Sequence, residues 1–219
     1  MDWLLEPLSD GDRTAVLRAA RRRELERGEV VFREGAPADS VHLVLTGHLA
    51  VSVSTSDGER ATLNVVGPGS HVGELALLTR GAPRERSATV VALEPSVTRV
   101  LTATAFRELC ARHPAVQGLL VDLMAARIRE LSARLLEVMY VGLDRRLVHS
   151  LVQLTEVYPS RDGQHVIPLT QEQLADLVAG TRPSVNQLLQ PLSADGFLSL
   201  GRGRVVVRDP AGLRRRATV

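Results

Sequence analysis

The chain has 219 residues, of which 44% are hydrophobic and only 3% aromatic, so it can fill the core of one or two domains with aliphatic side chains. All 27 basic residues are arginine and the only cysteine is Cys110, which excludes lysine-dependent P-loop, kinase and Schiff-base chemistry, an intrachain disulfide, and a multi-cysteine zinc or iron–sulfur site. The formal net charge is +2, but residues 143–219 carry 10 arginines against 7 acids, so the C-terminal third is the basic part.

The composition also argues against membrane and enzyme classes. No run of about 18 apolar residues is present, so we expect no membrane span. The N-terminus carries Asp2 and Glu6 where a secretory signal carries basic residues, and we expect a cytoplasmic protein. Neither a Gly-x-Ser-x-Gly elbow nor a His-Glu-x-x-His pair occurs, so an enzyme is the least expected class.

The first half of the chain is predicted to be a β-sandwich or barrel preceded by a helix. Residues 9–12 (Ser-Asp-Gly-Asp) predict a helix start, and the arginine run at 21–23 is expected to be solvated. From Glu29 to about Val100, short apolar runs are broken by Gly- and Pro-containing turns roughly every ten residues, the spacing of antiparallel strands. We predict strands at 41–45, 49–54 and 61–66, a hairpin turn at 56–58 and a Gly-Pro-Gly corner at 67–69.

A long amphipathic helix is predicted from Pro114 to about Gly142. Its apolar residues recur every three or four positions at Leu120, Met124, Ile128, Leu131, Leu135 and Val138. Such a narrow stripe requires a partner, and we expect the same helix of a second copy across a twofold axis, with packing on the chain's own sandwich as the alternative.

The last third predicts a winged helix-turn-helix. After a helix at 147–157 and a short strand at 166–169, Thr170-Gln171-Glu172-Gln173 forms a capping box, residues 179–181 break the helix, and a second helix begins at Arg182. Pro191 is expected to break the last turn of that helix. Residues 199–207 predict two strands joined by a glycine turn, which form the wing.

Two groups of residues carry recognisable chemistry. An acid, Glu74, and an arginine, Arg86, flank a predicted one-turn helix, and this pairing suits a sugar phosphate: the carboxylate accepts from ribose hydroxyls, while the guanidinium and helix amides bind phosphate. A salt bridge that caps a turn is the structural alternative. The second predicted helix carries groove-reading side chains at Arg182, Ser184, Asn186, Gln187 and Gln190, and the wing adds Arg202 and Arg204, which suit a phosphate backbone.

The ordered set of these features resembles the CRP/FNR family of bacterial transcription regulators over nearly the whole chain. The matching stretches are residues 27–35, 38–40, 46–47, 73–77, 86–88 and 181–186. The resemblance implies an α+β fold with an N-terminal double-stranded β-helix or jelly-roll domain that binds a cyclic nucleotide (1–112), a dimerisation helix (113–142), a C-terminal winged helix-turn-helix (143–209) and a basic tail (210–219).

The resemblance also implies a ligand set. Glu74 would bind the ribose 2′-hydroxyl, and Arg86 with Ser87 would hold the cyclic phosphate of cAMP or cGMP. The other residues expected around the ligand are Val51, Leu63, Val66, Gly73, Leu75, Ala76, Ala88, Arg127, Leu131 and Ser132. The expected DNA-binding residues are Thr170 together with the helix and wing residues named above. We expect no metal and no iron–sulfur cluster.

The chain departs from the family pattern at three places. The loop from Leu78 to Arg86 is longer than in the best-known cAMP-binding members and contains Arg84, so the phosphate partner is Arg86 or Arg84. Residue 131 is leucine where cAMP-responsive members have a threonine, which leaves the base open between adenine and guanine. Pro183 and Gln187 replace an acid and an arginine that read bases in the best-known member, so its operator cannot be transferred.

The expected partners are a palindromic double-stranded operator, a second copy of the chain and RNA polymerase, with no membrane. Two rival functions remain at this stage: a regulator whose nucleotide pocket is vestigial, and a nucleotide sensor that acts through protein contacts.

Overall fold

The computed structural model describes residues 5–54, 60–75, 85–160 and 162–217. Within it the chain divides into two compact units, Met1–Arg129 and Glu130–Val219. The predicted turn at 56–58, Ala76 and Arg84 lie outside the described residues.

The first unit is an antiparallel β-sandwich preceded by helix α1 (Asp10–Ala19), as predicted. Ser9 caps α1, and its hydroxyl accepts from the backbone amide of Asp12. One sheet has the strand order β1-β8-β3-β6 and the other the order β2-β7-β4-β5. The strands described are β1 (Arg21–Leu25), β2 (Val30–Phe32), β3 (Ser40–Thr46), β4 (Leu49–Ser54), β5 (Arg60–Val66), β6 (His71–Val72), β7 (Thr89–Ala92) and β8 (Ser96–Thr102).

The prediction of a solvated arginine run is partly wrong. Residues 21–23 form part of β1, which pairs with β8. Arg21 and Arg22 are exposed, but the guanidinium of Arg23 donates to the Glu29 carboxylate (3.0 Å) and to the Val31 carbonyl (3.1 Å). Strand pairing turns alternate side chains to opposite faces, and this places Arg23 against β2.

The core of the first unit has two parts, one on each side of β3. Side chains between the sheets form one cluster: Leu25, Val31, Val44, Leu49, Val66, Val72, Val90 and Ala92. On the other face, Val41 of β3 and Leu101 of β8 pack against α1 and the two helices that follow, α2 (Ala103–Arg112) and α3 (Pro114–Tyr140). The alternation along β3 explains why one strand serves both clusters.

The buried ring of His42 makes the first unit sensitive to acid. His42 is 3% exposed, and burial, with the positive charges of Arg23 and Arg86, lowers its pKa to about 4, against an opposing effect of Asp39. The unfolded chain therefore takes up a proton at this ring below about pH 6.5, whereas the folded protein does so only near pH 4. Between these values the free energy of unfolding should fall by about 3 kcal/mol as pH decreases.

Urea unfolding of the wild type and of His42→Gln at pH 7 and pH 4 checks this expectation. His42→Gln lacks the titrating ring, so its free energy of unfolding should not show this loss. The difference in unfolding free energy between the wild type and His42→Gln should therefore change by about 3 kcal/mol, in favour of the variant, between pH 7 and pH 4. Parallel pH profiles for the two proteins would contradict it.

The second unit contains the winged helix-turn-helix that the sequence predicts. Its helices after α3 are α4 (Leu143–Val157), α5 (Gln171–Leu177), α6 (Arg182–Ala194) and α7 (Pro210–Ala217), and its sheet has the order β10-β11-β9, made of β9 (His165–Ile167), β10 (Leu198–Gly201) and β11 (Arg204–Val207). Residues 210–217, expected to be part of a basic tail, include α7, whose Leu213 is fully buried while Arg214 and Arg215 are exposed.

Local capping fixes the helix-turn-helix geometry. Thr170 and Gln173 form both bonds of the predicted capping box at α5, and Thr181 caps α6 by accepting from the Ser184 amide. Ala179, in the turn between the two helices, has a φ of +50°. The expected break at Pro191 is wrong: α6 continues through Pro191 to Ala194, because neighbouring turns and the buried Leu189 and Leu192 hold the helix together.

Helix α3 leaves the predicted stripe exposed over most of its length. Leu120 is buried in the first unit, whereas Ile128, Leu131, Leu135 and Val138 are between 47% and 65% exposed. Within the described residues, no helix combines the length and the apolar character needed to cross a bilayer.

Candidate functional sites

Arg86 lies at the centre of a buried hydrogen-bond network. Its side chain is almost fully buried, and Nη1 donates to the Ser40 carbonyl (2.6 Å) while Nη2 donates to the Ser40 hydroxyl (2.9 Å). Longer contacts of 3.4 Å join Nη1 to the Gly73 carbonyl and Nη2 to the Asp39 carboxylate. The guanidinium also lies over the Phe32 ring, 4.1 Å from its centroid. The two terminal nitrogens are therefore fixed by residues that lie 13 to 47 positions away in sequence.

Gly73 is required beside this guanidinium. Its φ is +82°, in the left-handed region that favours glycine. A Cβ at this position would lie 2.5 Å from Nη1 of Arg86 and 3.0 Å from the Ser40 carbonyl. Any side chain here would displace the guanidinium or strain the backbone.

The third guanidinium nitrogen of Arg86, Nε, differs from the two terminal ones. It is buried and has no hydrogen-bond partner among the described residues. Burial lowers the pKa of Arg86, against the opposing effects of Asp39 and Glu74, but a guanidinium still keeps its charge near neutral pH. A buried cation with an unsatisfied N–H is costly unless it meets an acceptor, and an anion that reaches this position can accept from the N–H.

The other predicted ligand residues of the first unit lie on strands and turns of the sandwich. Glu74 and Gly73 are half-buried and follow β6, Ser87 is exposed, and Ala88 is buried before β7. Val51 packs at the edge of the inter-sheet cluster and Val66 within it, whereas Leu63 and Leu75 are 47% and 46% exposed. Ala76 lies outside the described residues, as does Arg84, the rival phosphate partner.

Sequence reasoning missed His71, Asp39 and Ser40. His71 and Glu74 are the two polar residues that line a cavity of about 50 Å³, whose other lining side chains are apolar and come from α1, β3, β8, α2, α3 and Leu5. Burial lowers the pKa of His71, Glu74 opposes this effect, and the positive charge of Arg127 adds to it. The family-like stretch at 38–40 was the available signal for Asp39 and Ser40, but nothing local tied those residues to Arg86.

The predicted ligand residues on α3 share one side of the helix. Arg127 and Leu131 are four positions apart and therefore lie one above the other, with Ser132 beside them. Arg127 is half-buried, and its positive charge acts on His71, whereas Leu131 and Ser132 are exposed.

The second helix of the helix-turn-helix presents a polar face to solvent. Val185, Leu189 and Leu192 of α6 are buried, which leaves Arg182, Gln187 and Gln190 exposed and Ser184 and Asn186 half-exposed. Two of these side chains already touch, since Nε2 of Gln190 donates to Oδ1 of Asn186 (3.2 Å). Thr170 is exposed at the start of α5.

The wing carries its two arginines at the end of a tight hairpin. In the hairpin of β10 and β11, Leu198 pairs with Val207 at one end and Gly201 pairs with Arg204 next to the turn. Gly203, in the turn, has a φ of +68°. Arg202 and Arg204 are exposed. Within the described residues, no group of three or more His, Cys, Asp or Glu side chains is placed to hold a metal ion.

Comparison with protein families identifies both units. A model of the cyclic nucleotide-binding domain matches residues 22–113, and a model of the Crp-like helix-turn-helix domain matches residues 145–216.

Individual relatives match most of the chain. The chain is 31% identical over 194 residues to the cyclic AMP receptor protein of Thermus thermophilus, covering 87% of this chain and 85% of that protein. It is 29% identical over 197 residues to a CRP-like cAMP-activated global transcriptional regulator of Mycobacterium tuberculosis, covering 89% of this chain and 87% of the relative. Among solved structures, a CRP-family transcriptional regulator of Thermus thermophilus superposes with a TM-score of 0.75 at 25% identity, covering 90% of this chain and 97% of the other.

Proposed function

Because the chain belongs to the CRP/FNR family of transcription regulators, we propose that it is a homodimer that binds a palindromic operator. A cyclic nucleotide controls its affinity for this DNA, with cAMP as the first candidate and cGMP as the second. It has a cyclic nucleotide-binding domain and a Crp-like helix-turn-helix domain. The relatives named above are transcription regulators and receptor proteins. The proposal extends this family function to a specific ligand, assembly and set of residues.

The ligand proposal is supported mainly by the hydrogen bonding of the Arg86 guanidinium. Its terminal nitrogens are anchored by Ser40, while its buried Nε has no partner in the described part of the chain. An anchored guanidinium loses little conformational freedom on binding, and a charge-assisted hydrogen bond from Nε to a phosphate would satisfy its N–H. The residues present therefore fit a cyclic phosphate.

The remaining residues suit the other parts of a cyclic nucleotide. Ser87 supplies an exposed hydroxyl next to Arg86, and the carboxylate of Glu74 can accept from the ribose 2′-hydroxyl. Leu63 and Val51 would contact the sugar and the base. We assign the closure over the base to Arg127, Leu131 and Ser132 of α3. A bound nucleotide supplies one diesterified phosphate charge and two stacking faces, and it undergoes no chemistry.

The assembly proposal rests on the exposed apolar stripe of α3. Four large aliphatic side chains of this stripe are about half exposed or more, which is a large apolar surface for a single chain to leave in water. A second copy of α3 would cover it by knobs-into-holes packing, and twofold symmetry then makes each stripe the partner of the other.

The DNA proposal rests on α6 and the wing. In a twofold dimer, the two α6 helices would enter successive major grooves about 34 Å apart. Asn186 and Gln187 carry the amide groups that read adenine, and Arg182 can read guanine or bind phosphate. The wing arginines would contact the backbone on either side.

Gln187→Ala should relax sequence preference without abolishing binding. Gln187 is exposed on the reading face of α6, and loss of a bidentate base contact should reduce discrimination at one base pair of each half-site by about 1–3 kcal/mol. Competition binding against operator variants measures this change, with Gln153→Ala, an exposed glutamine of α4, as the matched control. Unchanged discrimination would show that the register of the reading helix is wrong.

Arg202→Ala should weaken binding to every sequence by a similar factor. A wing arginine that contacts phosphate contributes no base information, so its loss should reduce the slope of log affinity against log salt by about 1 per subunit. Titrations from low to physiological salt test this, and Arg18→Ala, an exposed arginine of α1, serves as the control. An unchanged slope would remove Arg202 from the interface.

Selection of bound DNA from a random duplex pool tests the whole proposal. The selection is run without nucleotide, with cAMP and with cGMP. We expect a palindromic site that is enriched only with one nucleotide. Equal enrichment in all three conditions would indicate the rival regulator with a vestigial pocket. No enriched DNA, together with nucleotide binding by calorimetry, would indicate the rival sensor that acts through protein contacts.

A further inference from the structure

One arginine of the second unit joins three segments through their backbone carbonyls. Arg146, in the first turn of α4, donates from Nη1 to the carbonyls of Val141 (2.9 Å) and Val138 (3.3 Å) at the end of α3. The same guanidinium donates from Nε to the Val178 carbonyl (2.9 Å) and from Nη2 to the Ala179 carbonyl (3.2 Å). Val178 and Ala179 form the turn of the helix-turn-helix, so a single planar group connects that turn to the end of the long helix.

The two helix ends that Arg146 contacts have no cation of their own. Neither α3 nor α5, both of which are fully described, carries a basic residue in its last turn. The last carbonyls of a helix lack intrahelical partners and carry partial negative charge. Arg146 supplies the missing positive charge to both ends at once.

Direct packing reinforces this connection. A Cβ at Gly180 would lie 2.7 Å from Cδ1 of Leu143, the first residue of α4, so the backbone of the turn rests on that side chain. A side-chain hydrogen bond also ties α3 to α4, because Nδ1 of His149 lies 2.6 Å from the Glu137 carboxylate.

We propose that Arg146 is a positioning residue that couples the end of α3 to the turn before α6, so that the DNA affinity of the reading helix follows the position of the long helix; this inference rests on the proposed nucleotide control. Hydrogen bonds weaken steeply beyond their normal range, so one rigid guanidinium cannot keep its bonds on both sides if α3 and the turn separate by about 1 Å. A displacement of the α3 end must therefore move the turn or break the connection.

Three variants of the full-length protein test the coupling: Arg146→Gln, Arg146→Lys and, as the matched control, Arg145→Gln on the neighbouring exposed arginine. The readouts are the ratio of DNA affinities with and without the active nucleotide, the nucleotide affinity by calorimetry, and the thermal midpoint. We expect Arg146→Gln to lower the stimulation ratio at least fivefold while the nucleotide affinity stays within twofold. A purely structural role would move the thermal midpoint and leave the ratio intact.

We expect opposite stimulation ratios from Arg146→Lys and from the control Arg145→Gln. Arg146→Lys should remain as uncoupled as Arg146→Gln, because an ammonium group is a point charge that cannot span carbonyls on both sides. Arg145→Gln should behave as the wild type. A wild-type ratio in Arg146→Gln, or full rescue by lysine, overturns the proposal.

A nucleotide-independent arm separates this inference from the proposed function. Gly180→Ala should push the turn off Leu143 and lower the basal DNA affinity at least threefold, and the double variant Leu143→Ala/Gly180→Ala should recover it by making room for the new methyl group. If neither nucleotide changes the DNA affinity of the wild type, the proposed nucleotide control is wrong. The coupling through Arg146 is then tested only by the DNA affinities measured without nucleotide. Basal affinities of Gly180→Ala and Arg146→Gln within twofold of the wild type would then overturn the coupling.

Discussion

Replacement of Arg86 by glutamine should abolish nucleotide-stimulated DNA binding. The substitution removes the positive charge and the Nε group, which has no partner within the residues that the structure describes. A hydrogen bond to a charged group contributes about 1.5–3 kcal/mol, so we expect nucleotide affinity to fall at least tenfold and up to about 150-fold. Isothermal calorimetry with cAMP and cGMP measures the affinity directly. Gel shifts on the selected operator report the loss of stimulation.

The burial of Arg86 makes stability an essential control for this variant. Glutamine leaves the carbonyls of Ser40 and Gly73 without their present donor, which should cost about 1–3 kcal/mol of unfolding free energy. Arg33→Gln removes the same charge from an exposed position and should leave both nucleotide binding and stability unchanged. Arg86→Gln that remains folded and responds normally to nucleotide would reject Arg86 as the phosphate ligand and direct attention to Arg84.

Replacement of Leu135 by glutamate should convert the dimer into monomers. Leu135 is 61% exposed in the single chain and lies in the middle of the exposed part of the α3 stripe. Burying a leucine contributes about 1.5–3 kcal/mol, and each dimer contains two copies, so the dissociation constant should rise more than about 100-fold. Apposed glutamates would add like-charge repulsion. Sedimentation over a range of concentrations measures the shift.

Loss of the dimer should also reduce operator affinity, because the two half-sites would no longer be bound as one unit. The control is Ala133→Glu, which introduces the same charge on the same helix but two positions away from Leu135, off the stripe. A dimer that persists in Leu135→Glu and weakens in Ala133→Glu would place the interface on another face of α3.

The sequence anticipated features whose causes lie within a few residues of each other. The capping box at Thr170, the helix start at Ser9, the second helix after Thr181 and the wing hairpin all appear where the pattern predicted them. Each depends on side chains that bond to backbone groups two or three positions away or on a glycine turn. The local rule that failed at Pro191 did so because buried neighbours kept α6 intact.

The candidate nucleotide site shows where such local rules stop. The sequence singled out Glu74 and Arg86, which the fold does bring to the same end of the sandwich. It did not identify Ser40 and Asp39 as the groups that anchor Arg86, since they lie 46 and 47 positions away. It also missed His71, whose position beside Glu74 follows from the pairing of β6 with β3.

The amino-acid order alone thus determined the helix-turn-helix with its capping box and wing, the exposed stripe of α3 and the polar face of α6, because these arise from periodicity and from bonds between near neighbours. Tertiary structure decided which atoms of Arg86 have partners in the described part of the chain, and it placed Arg146 between the end of α3 and the turn at 178–179. In both cases one guanidinium donates hydrogen bonds to backbone carbonyls that are distant in sequence. These bonds form only when the strands and helices pack together.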